Sequence, residues 1–139
     1  MTPEQLAEIH AASFVTPRPW SAAEFADLMR GNGVTVFSEA GAFALIRTIA
    51  DECEILTLAV APDQRRGGIA TRLVAATVKL AQSEGAARVL LEVVHDNAAA
   101  IALYTKCGFK ESGIRKDYYQ KPSGKRATAL VMVRELEPG

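Results

Sequence analysis

The chain has no excess of either charge: 16 lysines and arginines balance 16 aspartates and glutamates over 139 residues. A neutral surface exerts no long-range pull on nucleic acid or an anionic membrane, so any charged ligand must be held by a local site. Cysteine is scarce. Cys53 and Cys107 are far apart and lack metal-type spacing, which reads as two free thiols in a reducing compartment rather than a disulfide. No apolar run approaches the roughly 18 residues a membrane span needs, and no basic-then-apolar signal segment opens the sequence. The expectation is a cytoplasmic protein with no metal, no membrane association and no direct nucleic-acid partner. Both common phosphate-loop signatures are missing. Without G-x-x-x-x-G-K-[ST] an ordinary nucleotide hydrolase is disfavoured, and without G-x-G-x-x-G so is a dinucleotide fold. There is no internal repeat and no low-complexity segment, and the length suits one domain over residues 1–139.

Apolar residues make up 49% of the chain, enough for a sizeable core. "TPEQLAEIHAASF" opens with a capping hydroxyl at Thr2, Pro3 at the first helical position, and then Glu4 and Gln5, which suit a first turn. "TPRPW" breaks that helix with two prolines. "SAAEFADLMRGNG" predicts a second helix, with Ser21 and Glu24 as a capping box and Gly31 or Gly33 as its stop. Three strands follow, near 34–38, 42–49 and 53–61. The last is apolar on both faces around "LTLAV", as a central strand would be. Then come the loop "APDQRRGG", a helix from about Ile69 to Glu84 stopped by Gly85, and a buried strand in "ARVLLEVV". A short helix between an Asn97 cap and Gly108 leads to two closing strands around "KPSGK". Strand–helix–strand in the middle requires at least one parallel pairing, and the hairpins require antiparallel ones. The fold expected is α/β: a mixed, mostly antiparallel sheet with helices on both faces.

The segment "DQRRGGIATRL" sets two arginines and two glycines where a helix begins. A helix N-terminus exposes unpartnered N–H groups at the positive end of its dipole, and glycine lets an anion approach the main chain. A plain tight turn is the other reading of this loop alone. The spacing R-x-x-G-x-A, at Arg65, Gly68 and Ala70, follows an apolar strand ending in "AVAPD". Further on, after a helix and the strand "LLEVV", comes "NAAAIALYTKCGF". Together these resemble the two coenzyme motifs of the GNAT superfamily of N-acetyltransferases. With "PRPWSAAEF" and "IRKDYY" they are similar to its ribosomal-protein-alanine N-acetyltransferase branch, over about Ile9 to Met132. Two departures stand out. The family's first edge strand is missing or vestigial here, and where the branch has an acidic residue before the last strand, near Thr128, this chain reads "KRATALVM", basic and then neutral.

The resemblance implies acetyl-coenzyme A as cosubstrate, with its diphosphate on the loop amides of Arg65, Arg66, Gly67, Gly68, Ile69, Ala70 and Thr71. It implies a pantetheine arm beside Leu58, Ala59 and Val60, like an added strand, and a coenzyme contact from Asn97. The strands on either side of that arm must then splay, and a backbone N–H there would meet the thioester oxygen. Glu92 would be the general base and Tyr104 the acid that protonates the departing sulfur. From the residues alone, Glu92 is either a carboxylate whose pKa burial raises or a solvent-facing partner of a Lys or Arg. Tyr104, two helical turns from Asn97 and on nearly the same face, is either that acid or a core tyrosine. The implied activity is acetylation of a protein's N-terminal α-amine, with a ribosomal protein as partner. A small-amine or lysine acetyltransferase and a non-catalytic acyl-coenzyme A sensor are the alternatives. Trp20, Tyr118 and Tyr119 are candidates for a peptide groove or for the core, and "RKDYYQKPSGK" is either a peptide-gripping loop or a solvated hairpin. His95 and Cys107 are a weak thiol–imidazole candidate. His10 reads as an ordinary residue of the first helix.

Overall fold

A computed structural model describes residues 1–13, 20–65, 67–120 and 126–137, with the side chains of 13, 115–120, 126 and 127 outside that description. Helix α1, Pro3–Ser13, starts in a reciprocal cap: Thr2 Oγ1 accepts from the Gln5 amide at 3.1 Å and Gln5 Oε1 accepts from the Thr2 amide at 2.8 Å. Helix α2, Ala22–Met29, has the Ser21–Glu24 capping box its sequence predicts and is capped at Arg30, just ahead of the expected glycines. Six strands follow as one sheet: β1 Val34–Glu39, β2 Ala42–Ile49, β3 Glu52–Val60, β4 Arg88–Val94, β5 Lys110–Gln120 and β6 Arg126–Glu135. Helix α3, Ile69–Ser83, links β3 to β4, and α4, Ala98–Lys106, links β4 to β5.

The spatial order is β1-β2-β3-β4-β6-β5. Among the described residues only β3 and β4 run parallel, because α3 carries the chain back between them; every other neighbouring pair there is antiparallel. The predicted bounds of these elements hold to within a residue or two. β3 and β4 are the central strands, as their near-continuous apolar runs imply. β1 forms the sheet's edge, and among the described residues no strand precedes α1.

Two clusters cover the two faces. On one, Ile69, Leu73, Val74, Val78 and Ala81 of α3 pack on Ala42, Ala44, Ile46, Cys53, Ile55, Val89, Leu91 and Val93, with Tyr104 and Phe109 beside them. On the other, Leu6 of α1 and Phe25 of α2 close over Phe43, Leu45 and Ala59. Truncating a wholly buried residue such as Leu91 or Phe25 to alanine would cost about 2–5 kcal/mol, so both faces hold the central strands firmly.

Candidate active site

The site begins as an irregularity in β3. Leu45 pairs with Thr57, but Ile46 pairs with Ile55, so Leu56 is an extra residue opposite β2. Such a bulge bends its strand and reverses the facing of the residues beyond it. Cys53 and Ile55 belong to the α3 face, whereas consecutive Leu56 and Thr57 both turn towards α1, after which Leu58, Ala59 and Val60 alternate again. The bulge coincides with a parting of strands. β3 and β4 are in register from Glu52↔Arg88 to Ile55↔Leu91 and no further. Each stays paired on its outer side, β3 to β2 as far as Val60 and β4 to β6 as far as Val94. A wedge therefore opens between two central strands, lined on one side by Leu58, Ala59 and Val60, which lie beyond the last β3–β4 pair.

Glu92 is the first residue of β4 past that last parallel pair, so it sits at the apex of this wedge. It lies half-buried, on the opposite face of β4 from Leu91 and Val93, which join the α3 core. Tyr104 comes from α4. Its ring is 8% exposed and meets Phe109 edge-on at 5.7 Å. Burial, with a smaller effect from Cys107, pushes its phenol pKa well above the ordinary range, so the proton stays on at neutral pH. The hydroxyl has no hydrogen-bond partner among the described residues, yet no buried polar side-chain atom there lacks one. The tyrosine's oxygen is therefore not fully sealed from solvent, while its ring stays in the core.

Beyond the wedge the chain makes a 3-10 turn at Pro62–Gln64 and enters α3 through Gly68, whose φ of 74° is left-handed. L residues carrying a Cβ avoid that conformation, which explains the glycine. No side chain caps α3 and no acidic residue occupies its first turn. The backbone N–H groups of residues 68–71 thus have no partner among the described residues. They lie at the positive end of a 15-residue helix, where unpartnered N–H groups can hold an anion. Gly67 leaves the approach open: a Cβ there would meet nothing nearer than 4.0 Å. Ile69 anchors the turn in the core, whereas Thr71 is exposed. Arg65 is exposed and turns its Nε back to the Val60 carbonyl at 3.2 Å. Arg66 lies outside the described residues.

Asn97 caps α4, accepting from the Ala100 amide at 3.2 Å. His95 sets its Nδ1 on the Thr128 carbonyl at 3.1 Å, and burial raises the thiol pKa of Cys107, which disfavours a reactive thiolate. Both cysteines are free. Trp20 stacks on His10 at 5.1 Å within the α1–α2 cluster. The side chains of Tyr118 and Tyr119 and the "KPSGK" turn lie outside the described residues. Sequence reasoning missed His10. It is 1% exposed, with Nε2 3.0 Å from Thr57 Oγ1 and Nδ1 accepting the Trp20 N–H at 3.0 Å. It thereby ties α1 to β3 one residue past the bulge.

The arrangement places an anion cradle, a wedge between parallel strands, a carboxylate at its apex and a phenol with an accessible oxygen within one fold. Residues 5–109 match the model of the acetyltransferase (GNAT) family. The chain is 36% identical over 118 residues to the Escherichia coli K12 [ribosomal protein bS18]-alanine N-acetyltransferase, covering 82% of this chain and 79% of that one. It is 34% identical over 126 residues to the N-alpha-acetyltransferase RimI of Mycobacterium tuberculosis, covering 84% and 78%. The crystal structure of the ribosomal-protein-S18-alanine N-acetyltransferase from Escherichia coli superposes with a TM-score of 0.86 at 32% identity, covering 97% of this chain and 88% of that one. This chain therefore belongs to the GNAT family of acetyltransferases and is an acetyl-coenzyme A-dependent N-acetyltransferase.

Proposed function

We propose that the protein acetylates the N-terminal α-amine of a protein chain, with an alanine-terminated ribosomal protein as its acceptor. The observation that carries this reading is the wedge, which opens just past Leu91 and puts Glu92 at its apex. The names of the E. coli and M. tuberculosis relatives support the acceptor class.

When bound, acetyl-coenzyme A supplies an acetyl group activated as a thioester. The backbone N–H groups of residues 68–71 hold its diphosphate, with Arg65, Arg66, Gly67 and Gly68 shaping the approach. Leu58, Ala59 and Val60 present the backbone edge that faces the wedge to the amide-rich pantetheine arm, in the manner of an added strand. Asn97, its Oδ1 spent on the helix cap, has its side-chain amide left to donate along the same path.

The amine must be neutral to react. With a pKa of about 7.7–8.0, roughly a third of α-amines are neutral near pH 7.5, against about one lysine in a thousand with a pKa near 10.4. A carboxylate of modest basicity, acting directly or through one water, is therefore sufficient for an α-amine. Glu92 takes this role and removes the ammonium's proton, so that the neutral nitrogen can attack the thioester carbon. Tyr104 gives its proton to the sulfur as the carbon–sulfur bond breaks, so the coenzyme leaves as the free thiol, and the proton that the nitrogen sheds on becoming an amide restores the phenol. Its raised pKa suits it to remain a donor throughout the working pH range.

The test is a panel of peptides bearing free N-terminal Ala, Ser or Met, plus an N-blocked peptide with a free lysine, each mixed with acetyl-coenzyme A. Thiol release and product mass on the Ala peptide at a kcat/KM well above the others support the reading. Faster turnover of the lysine peptide, or coenzyme binding without turnover of any amine, would refute it.

A further inference from the structure

We propose that Arg72 is a positioning residue for the coenzyme's diphosphate: clamped by Glu39 of β1, its guanidinium holds the Gly67 carbonyl and so sets the direction in which the loop's N–H groups point. The inference rests on the coenzyme reading above and adds the part that keeps the cradle in shape.

Arg72 stands on the first turn of α3 and Glu39 at the end of β1, which are 33 residues apart in sequence. The guanidinium and carboxylate meet fork to fork, with Nε 3.0 Å from one oxygen and Nη2 2.8 Å from the other. This two-bond geometry fixes orientation as well as distance. The third arm, Nη1, donates to the Gly67 carbonyl at 2.9 Å. That carbonyl and the Gly68 N–H belong to one planar trans peptide, so they point in opposite directions. Holding the oxygen towards Arg72 aims the Gly68 N–H away from it, into the cradle. Gly68 also keeps close quarters with this arm: a Cβ there would lie 3.5 Å from Nη1.

The β1–β2 turn supports the loop at a second point. The Ala61 N–H donates to the Gly41 carbonyl at 2.7 Å, and a Cβ on Gly41 would come within 2.6 Å of Gln64 Cγ. The turn is thus pressed against the segment that leads into the cradle. This explains an otherwise adverse choice. A carboxylate near an anion site repels the ligand unless it is paired, and Glu39 is paired in full. Arg72 in turn is spent on Glu39 and Gly67 rather than left to grasp phosphate itself.

The experiment compares two acyl donors on the full chain: acetyl-coenzyme A, and S-acetyl-pantetheine, which has the same reacting end but no diphosphate. Coenzyme A affinity is measured alongside by calorimetry. Arg72→Met and Glu39→Gln should each weaken coenzyme A binding roughly five- to tenfold. They should lower kcat/KM with acetyl-coenzyme A by a similar factor and leave kcat/KM with S-acetyl-pantetheine within about twofold. Arg72→Lys keeps the charge but cannot reach both partners, so it should fall between wild type and Arg72→Met. Equal losses on both donors would mean general damage and overturn the proposal, and so would unchanged coenzyme affinity. Tighter binding by Glu39→Gln would overturn it too, since Arg72 would then be a phosphate ligand held back by its partner. A wild-type chain that binds no coenzyme A would refute the coenzyme reading itself, a separate outcome.

Discussion

Lowering the pH should destabilise this protein through one imidazole, that of His10. The Trp20 N–H can only donate, so His10 Nδ1 must accept, and the ring's proton sits on Nε2, towards Thr57. Protonating Nδ1 would set two donors against each other inside a cluster of Trp20, Phe25 and Phe43. Burial accordingly lowers the His10 pKa from 6.5 to about 4, against a smaller opposing pull from the Glu24 carboxylate. Between those values the unfolded chain binds a proton that the folded chain refuses. The stabilisation is therefore whole above about pH 6.5 and is lost as the pH falls. At 1.36 kcal/mol per pKa unit, the loss reaches about 2 kcal/mol by pH 5 and about 3 kcal/mol by pH 4. The assay is urea unfolding of wild type and His10→Gln at intervals from pH 7.5 to 4.5. The variant should be weaker at pH 7.5, by about 1–3 kcal/mol for the broken hydrogen bonds, but its stability should decline less steeply with acid. Two parallel curves would refute the reasoning, because the histidine would then contribute nothing to the pH dependence.

Gly68→Ala and Gly85→Ala should each cost about 1 kcal/mol in urea unfolding, since both positions have left-handed φ and neither Cβ would clash. Only the first should also weaken coenzyme A binding by calorimetry. Glu92→Gln should slow acetyl transfer roughly 100-fold near pH 6.5. The deficit should shrink towards pH 9, where the amine deprotonates unaided, with coenzyme affinity unchanged; a constant deficit across that range would argue against a base. Tyr104→Phe should lower kcat about 10- to 100-fold and leave the coenzyme Kd alone, since the ring keeps its contact with Phe109. Full activity in that variant would leave Tyr104 a core residue.

What was legible in the chain was what short spans decide. Thr2 with Gln5, Ser21 with Glu24, and Asn97 with Ala100 cap helices across three residues, and such pairings are written in neighbouring letters. The parallel pairing of β3 and β4 followed from a helix between two apolar runs. The bulge at Leu56 did not, because it exists only relative to β2, where Ile46 takes Ile55 and Leu45 takes Thr57. The opening of the wedge could be anticipated only through resemblance to a family, since nothing local in "LTLAV" or "LLEVV" marks where pairing stops. His10 read as an ordinary helical residue, and nothing in the sequence singled out Arg72, for a similar reason. Thr57 and Glu39, which give them their work, lie 47 and 33 residues away. Tyr104 was visible as a candidate, but its buried ring and accessible oxygen appear only once α4 is laid on the sheet.

The central claim is that acetyl transfer happens in the wedge between β3 and β4. A crystal structure of the protein with coenzyme A joined through its sulfur to the α-nitrogen of an alanine-terminated peptide tests it most directly. The diphosphate should lie on the backbone N–H groups of residues 68–71, the sulfur within hydrogen-bond reach of the Tyr104 oxygen, and the alanine nitrogen near Glu92, directly or through one water. A conjugate seated anywhere else, or a sulfur remote from both side chains, would contradict it.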